Sequence, residues 1–439
     1  AYLARRVPTA RARKVEALKV AGLEFIPEFT RVYPREWMAS QLLGSVGTDK
    51  RGLSGLEYSL DRHLRGRDGE RRLVKDALGE PIELQETTPT ESGTDLRLTL
   101  DANIQDKAEE VLAEVGEEWK PKGATAIVMD PRDGALLALA NWPRVNANEP
   151  GDAPDYARQN RAIGATYEPG STFKAFTVAG ALEEGEVTPG TEFDLPPTIM
   201  VADREIGESH PRGYERLNTR EILEQSSNVG AITIGQRLTA PRFDQWVRRF
   251  GFGRNTGVDL PGEAPGIVPR PNEYSGSTMG NLPIGQGQLV TQMQMSTAYA
   301  ALANGGIMRP ARVVKAIDGR RVPTPKGRRV VSERTAREVR GMLEGVFAPD
   351  GTAAEVTVPG YSLAGKTGTA NKFDTKLGEY STAKYVASFV GWAPAEDPEL
   401  LISVMIDEPK GQIYGAQVAA PAFGKIASFV LPYQKISPR

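Results

Sequence analysis

Between residues 101 and 142 the spacing of apolar positions changes, and the change separates two kinds of element. Behind Asp101, a helix-capping residue type, Ile104, Ala108, Val111, Leu112 and Val115 recur at the 3.6-residue spacing of one helix face. Ala124–Met129 and Ala135–Asn141 are short apolar runs separated by the turn composition Asp130-Pro131-Arg132-Asp133-Gly134, and they predict a β-hairpin. Helical spacing returns over 171–184, 219–239 and about 291–304, the last closed by Asn304-Gly305-Gly306. Strand-sized runs follow at Tyr361–Thr369, Val386–Ala393 and Leu400–Asp407. Pro394-Ala395-Glu396-Asp397-Pro398 is short enough to join the last two as an antiparallel pair. A final helix is expected over about 417–430. Two strands early, three late, and helices between and after predict an α+β domain around one antiparallel sheet.

The first 90 residues read differently. They are basic and loop-rich, with short strand-like runs and few long periodic segments. The polar stretch Gln85-Glu86-Thr87-Thr88-Pro89-Thr90-Glu91-Ser92-Gly93 is the strongest linker signal in the chain. Two domains are therefore expected, 1–90 and 91–439. No apolar run approaches the roughly 18–20 residues of a membrane helix. No signal peptide is visible, and the abrupt amphipathic start suggests that an upstream segment has been removed.

Composition narrows the chemistry. The 439 residues include no cysteine and two histidines, His63 and His210. Disulfides, cysteine nucleophiles and multi-histidine zinc sites are excluded, and a Ser-His-Asp triad is left only two candidate histidines. An acyl-transfer or hydrolytic enzyme of this composition needs lysine, aspartate or glutamate as its base. The 54 basic and 56 acidic residues give a net charge of -2, so no global field draws nucleic acid. Basic clusters near the start and at Arg62–Arg72 are interleaved with acids and apolar residues and read as solvated faces.

Three short segments carry candidate chemistry. Ser171-Thr172-Phe173-Lys174 follows Glu168-Pro169-Gly170 and opens a helix that is apolar on nearly every side. Ser171 then faces free N–H groups at the positive helix end, with Lys174 one turn away on the same face. A helix cap and a snorkelling lysine would look the same. A second match, Ser381-Thr382-Ala383-Lys384, is expected in a polar loop before a strand, with no apolar helix around it, and reads as surface. Ser226-Ser227-Asn228 interrupts a helical run behind the capping box of Asn218 and Glu221, as a helix-helix turn also would. Lys366-Thr367-Gly368-Thr369 falls on a predicted strand. There Gly368 leaves room for another backbone, Lys366 supplies charge, and Thr367 and Thr369 suit a carboxylate; a strand edge with a bulge is the plain alternative. Gly360–Thr367 also matches the Walker A pattern. However, Pro359 breaks the lead-in strand and no helix starts after Thr367, so no nucleotide site is expected.

In order, Ser-x-x-Lys, Ser-x-Asn and Lys-Thr-Gly form the signature of penicillin-recognising acyl-serine enzymes, which this chain resembles. The flanking Tyr167-Glu168-Pro169-Gly170, Val229-Gly230, Thr369-Ala370, Gly251-Phe252-Gly253 and Asp259-Leu260-Pro261-Gly262-Glu263 are similar to class B penicillin-binding proteins of the division type. Arg31-Val32-Tyr33-Pro34 and Gly52-Leu53-Ser54-Gly55-Leu56-Glu57 resemble that family's N-terminal pedestal. The family's membrane helix, the first part of its pedestal and a C-terminal repeat domain have no counterpart here.

The resemblance implies a five-stranded antiparallel sheet flanked by helices, preceded by the pedestal, and a D,D-transpeptidase without cofactor. It implies Ser171 as nucleophile, Lys174 as its base and Ser226 as proton relay. Asn228 would hold the peptide amide, Lys366 would lower the Lys174 pKa, and Thr367, Gly368 and Thr369 would bind substrate. Stem peptides ending in D-Ala-D-Ala are the implied substrates and β-lactams the covalent inhibitors. A membrane glycan polymerase and other division proteins are the implied partners, on the extracytoplasmic side of the cell membrane and anchored by a helix outside this chain. A D,D-carboxypeptidase and a serine β-lactamase share the motifs. A P-loop NTPase is the alternative from another class.

Overall fold

The computed structural model describes residues 2–438 apart from Arg6, Pro27, 78–80 and 375–377. Its centre is a sheet of five strands: β1 (Gly123–Met129), β2 (Leu136–Trp142), β3 (Ala364–Asp374), β4 (Glu379–Ala393) and β5 (Leu400–Asp407). Their spatial order is β3-β4-β5-β1-β2, and every neighbouring pair is antiparallel. All residues of β1 and β5 are buried, which explains why both read as continuous apolar runs rather than as alternating ones.

Six helices frame the site: α1 (Ala102–Trp119), α2 (Lys174–Glu183), α3 (Thr219–Glu224), α4 (Asn228–Arg237), α5 (Gln292–Ala303) and α6 (Gly415–Tyr433). The Asp101 carboxylate caps α1 by accepting from the Asn103 and Ile104 N–H groups. Helices α1 and α6 pack against each other and against the sheet. From α5, the Gln292 side-chain amide donates to the Ser403 carbonyl on β5 at 2.9 Å, fixing that buried helix to the central strand. Among the described residues no helix is long and apolar enough to cross a membrane.

Several boundaries differ from the sequence expectation. The first turn of the 171–184 segment is a 3-10 turn, Gly170–Phe173, and α2 begins at Lys174. The 219–239 run is two helices that break at 225–227, at the interruption expected from Ser226-Ser227-Asn228. Strand β3 starts at Ala364 rather than Tyr361, and β3 and β4 extend as a long polar hairpin beyond the apolar part that periodicity can detect.

The polar stretch read as a linker begins inside a strand: Pro81–Thr88 pairs antiparallel with Glu70–Lys75. Its described side chains are exposed, so pairing satisfies the backbone without an apolar face to announce it. The N-terminal region docks on the rest of the molecule through residues 33–41. Tyr33 N–H donates to Asn148 Oδ1 and Asn148 Nδ2 returns to the Tyr33 carbonyl, both at 2.9 Å. Ala39 N–H donates to the buried Glu109 carboxylate at 2.7 Å, and Gln41 Nε2 bonds the Pro143 and Ala157 carbonyls.

Candidate active site

The helix carrying the first motif is held almost entirely by apolar and aromatic contact. Every residue of α2 from Lys174 to Leu182 is buried. Phe173 and Phe176 pack against Phe252 at ring-centroid distances of 5.2 and 5.1 Å, and Phe176 meets Tyr299 edge-on at 5.1 Å. The Tyr299 hydroxyl donates to the Thr172 carbonyl at 2.6 Å, and Gly170 N–H donates to the Gly285 carbonyl at 3.0 Å. Gly170 has φ 55°, and a Cβ there would lie 2.9 Å from the Thr369 carbonyl. A glycine therefore lets the serine-bearing turn close against β3. Ser171 is half-buried at this turn, and its Oγ has no hydrogen bond to another described residue.

Lys174 leaves α2 into the second motif. Its Nζ donates to the Ser226 carbonyl at 2.6 Å, to Asn228 Oδ1 at 2.6 Å and to Ser226 Oγ at 3.3 Å. The side chain is fully buried. Burial is the main cause that brings its pKa from 10.5 down to about 7; Arg212 adds to the depression and Glu208 opposes it.

Lys366 on β3 is also fully buried, and among the described residues its Nζ has only a 3.5 Å contact to the Thr367 carbonyl. Its pKa lies well below the ordinary lysine value, first through burial and then through Lys174. Repulsion between the two amines is mutual, and at Lys366 it adds to the effect of burial. Lys366 was expected to supply charge, but burial without a carboxylate partner favours its neutral amine.

The other motif residues converge on the same place. The Thr367 hydroxyl lies 2.9 Å from that of Thr352, and Thr369 Oγ1 accepts from Gly415 N–H at 3.0 Å. The space left by Gly368 is occupied from inside: a Cβ would lie 2.4 Å from Ser388 Oγ, 2.8 Å from Thr172 Cγ2 and 3.1 Å from the Pro169 carbonyl. This glycine lets β3 approach the serine-bearing turn, where the sequence suggested room for an incoming backbone. Asn228 is committed at both ends of its amide, with Nδ2 donating to the Gly207 carbonyl at 2.9 Å.

Glu208, Arg212, Thr352, Gly415 and Tyr380 were not anticipated. Tyr380 OH donates to Glu168 Oε1 at 2.9 Å, and the same oxygen accepts from Gly287 N–H, tying the serine-bearing turn to β4. These residues come from distant segments with no motif of their own, so spacing carries no sign of them. The second Ser-x-x-Lys match lies within β4 rather than in a loop before a strand, and Ser381 Oγ accepts there from the Ala383 and Lys384 N–H groups. Neither histidine hydrogen-bonds a motif residue; His210 packs against Tyr414 at 5.2 Å. Beyond Lys366 and Thr367 the chain continues as strand, the wrong element for a phosphate loop.

The chain is similar to known proteins over nearly its whole length. The penicillin binding protein transpeptidase domain matches residues 124–428, and the penicillin-binding protein dimerisation domain matches residues 2–98. The chain is 34% identical to stage V sporulation protein D of Bacillus subtilis, covering 99% of this chain and 69% of that protein. It is 33% identical to the peptidoglycan D,D-transpeptidase FtsI of Escherichia coli, covering 100% and 73%. The crystal structure of penicillin binding protein 3 from Mycobacterium tuberculosis matches with TM-score 0.84 at 33% identity, over 93% of this chain and 92% of that one. The same protein complexed with ampicillin also gives 0.84, over 93% of this chain and 90% of that one. With a dimerisation domain ahead of a transpeptidase domain in one polypeptide, the chain belongs to the class B penicillin-binding proteins, the D,D-transpeptidases of the acyl-serine family.

Proposed function

We propose that this protein cross-links peptidoglycan stem peptides with Ser171 as the residue that carries the acyl group. The observation that carries the assignment is Lys174, a fully buried amine with a pKa of about 7, one helical turn from Ser171 and bonded to the Ser-x-Asn junction. That depression corresponds to about 5 kcal/mol of bias against the ammonium form, enough to leave a working fraction of neutral base at neutral pH.

In the first half-reaction Lys174 accepts the Ser171 proton as Oγ attacks the penultimate D-alanine carbonyl. The backbone N–H groups of Ser171 and Thr369 receive the developing oxyanion. Ser226, whose Oγ is 3.3 Å from Lys174 Nζ, passes a proton to the departing D-alanine amine. Asn228 orients the peptide amide, exchanging one of its internal hydrogen bonds for the substrate. Thr367 and Thr369 hold the terminal carboxylate, with Lys366 beside them and Gly368 keeping β3 close to the serine. An amine from a second stem peptide then attacks the ester, forming the new amide and releasing Ser171. A β-lactam follows the first half-reaction but leaves no departing group to make way for the acceptor, so its ester persists.

Residues 1–90 form the pedestal and 91–439 the transpeptidase domain in this reading. Septal wall synthesis is the role we assign, on the extracytoplasmic side of the cell membrane, with a membrane glycan polymerase and other division proteins as partners. The assignment is tested with a synthetic peptide ending in D-Ala-D-Ala and a D-amino-acid acceptor. Exchange of the terminal D-alanine for the acceptor, lost in Ser171→Ala, is the expected result. Release of D-alanine without acceptor incorporation would make the enzyme a D,D-carboxypeptidase, and exchange that survives in Ser171→Ala would displace the nucleophile.

A further inference from the structure

Ser226 has φ 61°, in the left-handed region that a serine seldom occupies. Its carbonyl and hydroxyl both reach Lys174 from this conformation, so something must hold it there. Both neighbours of Ser226 are gripped from a single strap, residues 207–212, which follows the hairpin Thr198–Val201/Arg204–Gly207.

On one side, the Glu208 carboxylate accepts from Ser227 Oγ at 2.6 Å, from Asn228 N–H at 2.6 Å and from Val229 N–H at 3.1 Å. Adjacent to it, the Gly207 carbonyl accepts from Asn228 Nδ2. On the other side, the Arg212 guanidinium donates to Gln225 Oε1 at 3.2 Å and to the Gln225 carbonyl at 3.0 Å. Arg212 also has a looser ion pair with Glu215 at 3.6 Å. The strained residue therefore sits between an anion that fixes the start of α4 and a cation that fixes the end of the preceding turn.

We propose that Glu208 and Arg212 are positioning residues of the acylation reaction, a paired clamp that holds Ser226 in its left-handed conformation against the Lys174 amine. The inference rests on the acyl-serine reading of the site. Charge gives the clamp a second consequence. The charged groups bearing on Lys174 are Glu208 and Arg212, both from the strap; the buried Lys366 amine on β3 is neutral. The Glu208 anion favours the Lys174 ammonium and the Arg212 cation disfavours it. Removing either partner loosens the same serine, yet the two removals move the base in opposite directions.

The test is the second-order rate of acylation by a fluorescent penicillin, measured across pH for wild type, Glu208→Gln, Arg212→Gln and Arg212→Lys, each normalised to the folded fraction. Both Gln variants are expected to acylate at least about tenfold more slowly. The acid limb of the profile should move to lower pH in Glu208→Gln and to higher pH in Arg212→Gln. Arg212→Lys, which keeps the charge but loses the planar fork, should restore the limb without restoring the rate. Limbs that stay at the wild-type pH, shift together or move in the reverse sense would overturn the clamp, as would rates within twofold of wild type. If Glu208→Gln does not fold, the two Arg212 variants carry the same decision alone. Wild-type protein that is not acylated would instead overturn the acyl-serine reading, and the clamp with it.

Discussion

At the scale of single residues, the proposed chemistry depends on an amine deprived of water. In the proposed mechanism the neutral form of Lys174 is the base, so acylation should rise with pH through an apparent pKa of about 7 and level off above it. A rate that is flat from about pH 6 to 9 would show that this amine does not limit the reaction. Gly368 gives a steric counterpart. Its Cβ would collide with Ser388, Thr172 and the Pro169 carbonyl, so Gly368→Ala must push β3 away from the serine-bearing turn. Acylation should fall about 10- to 100-fold without a comparable loss of stability. Serine and lysine at i and i+3 were legible because helix geometry alone places them together. Glu208 and Arg212 were not, because their reach to residues 225–229 depends on where an unrelated hairpin folds back. The direction of the Lys366 shift was also hidden: a lysine in a strand motif reads as charge until its burial is known.

At the scale of elements, periodicity worked where one face or both faces are apolar and failed where neither is. Helix α1, with its capping aspartate and its apolar stripe, has the form that the sequence predicted. Asp101→Ala should cost about 1 kcal/mol through the uncapped Asn103 and Ile104 N–H groups, lowering the melting temperature while leaving acylation unchanged. A calorimetric scan paired with a labelling assay separates the two effects, and loss of labelling in the folded variant would contradict it. The end of the N-terminal hairpin, residues 85–88, was misread as linker because its polar sequence carries no apolar alternation. The outer half of the β3–β4 hairpin was missed because its residues are mostly polar and no apolar alternation marks them. The break at 225–227 was visible as three polar residues, but its left-handed serine was not, since only the tertiary clamp makes that conformation tenable.

At the scale of the whole molecule, the site is maintained against the preferences of the fold. Lys366 lies in the interior without a carboxylate partner, and its folded-state pKa is well below its unfolded value. Between those values the unfolded chain binds a proton that the folded protein has released, so this group's cost to stability shrinks as pH rises. Lys366→Met should therefore raise the melting temperature at pH 7, by less at pH 10, while slowing acylation severely. A variant less stable than wild type at both pH values would contradict this account of the burial. The seam between the N-terminal region and the transpeptidase domain was illegible in the sequence, because Asn148 and Glu109 lie far along the chain from residues 33–39 and meet them only through the tertiary fold. What the sequence did hold was the order of three weak motifs, which the fold assembles around one buried amine. The most direct test of that assembly is mass spectrometry of the protein after incubation with a penicillin, followed by peptide mapping. The account predicts one adduct, on Ser171, absent in Ser171→Ala and formed far more slowly in Lys174→Ala; an adduct on any other residue, or none, would contradict it.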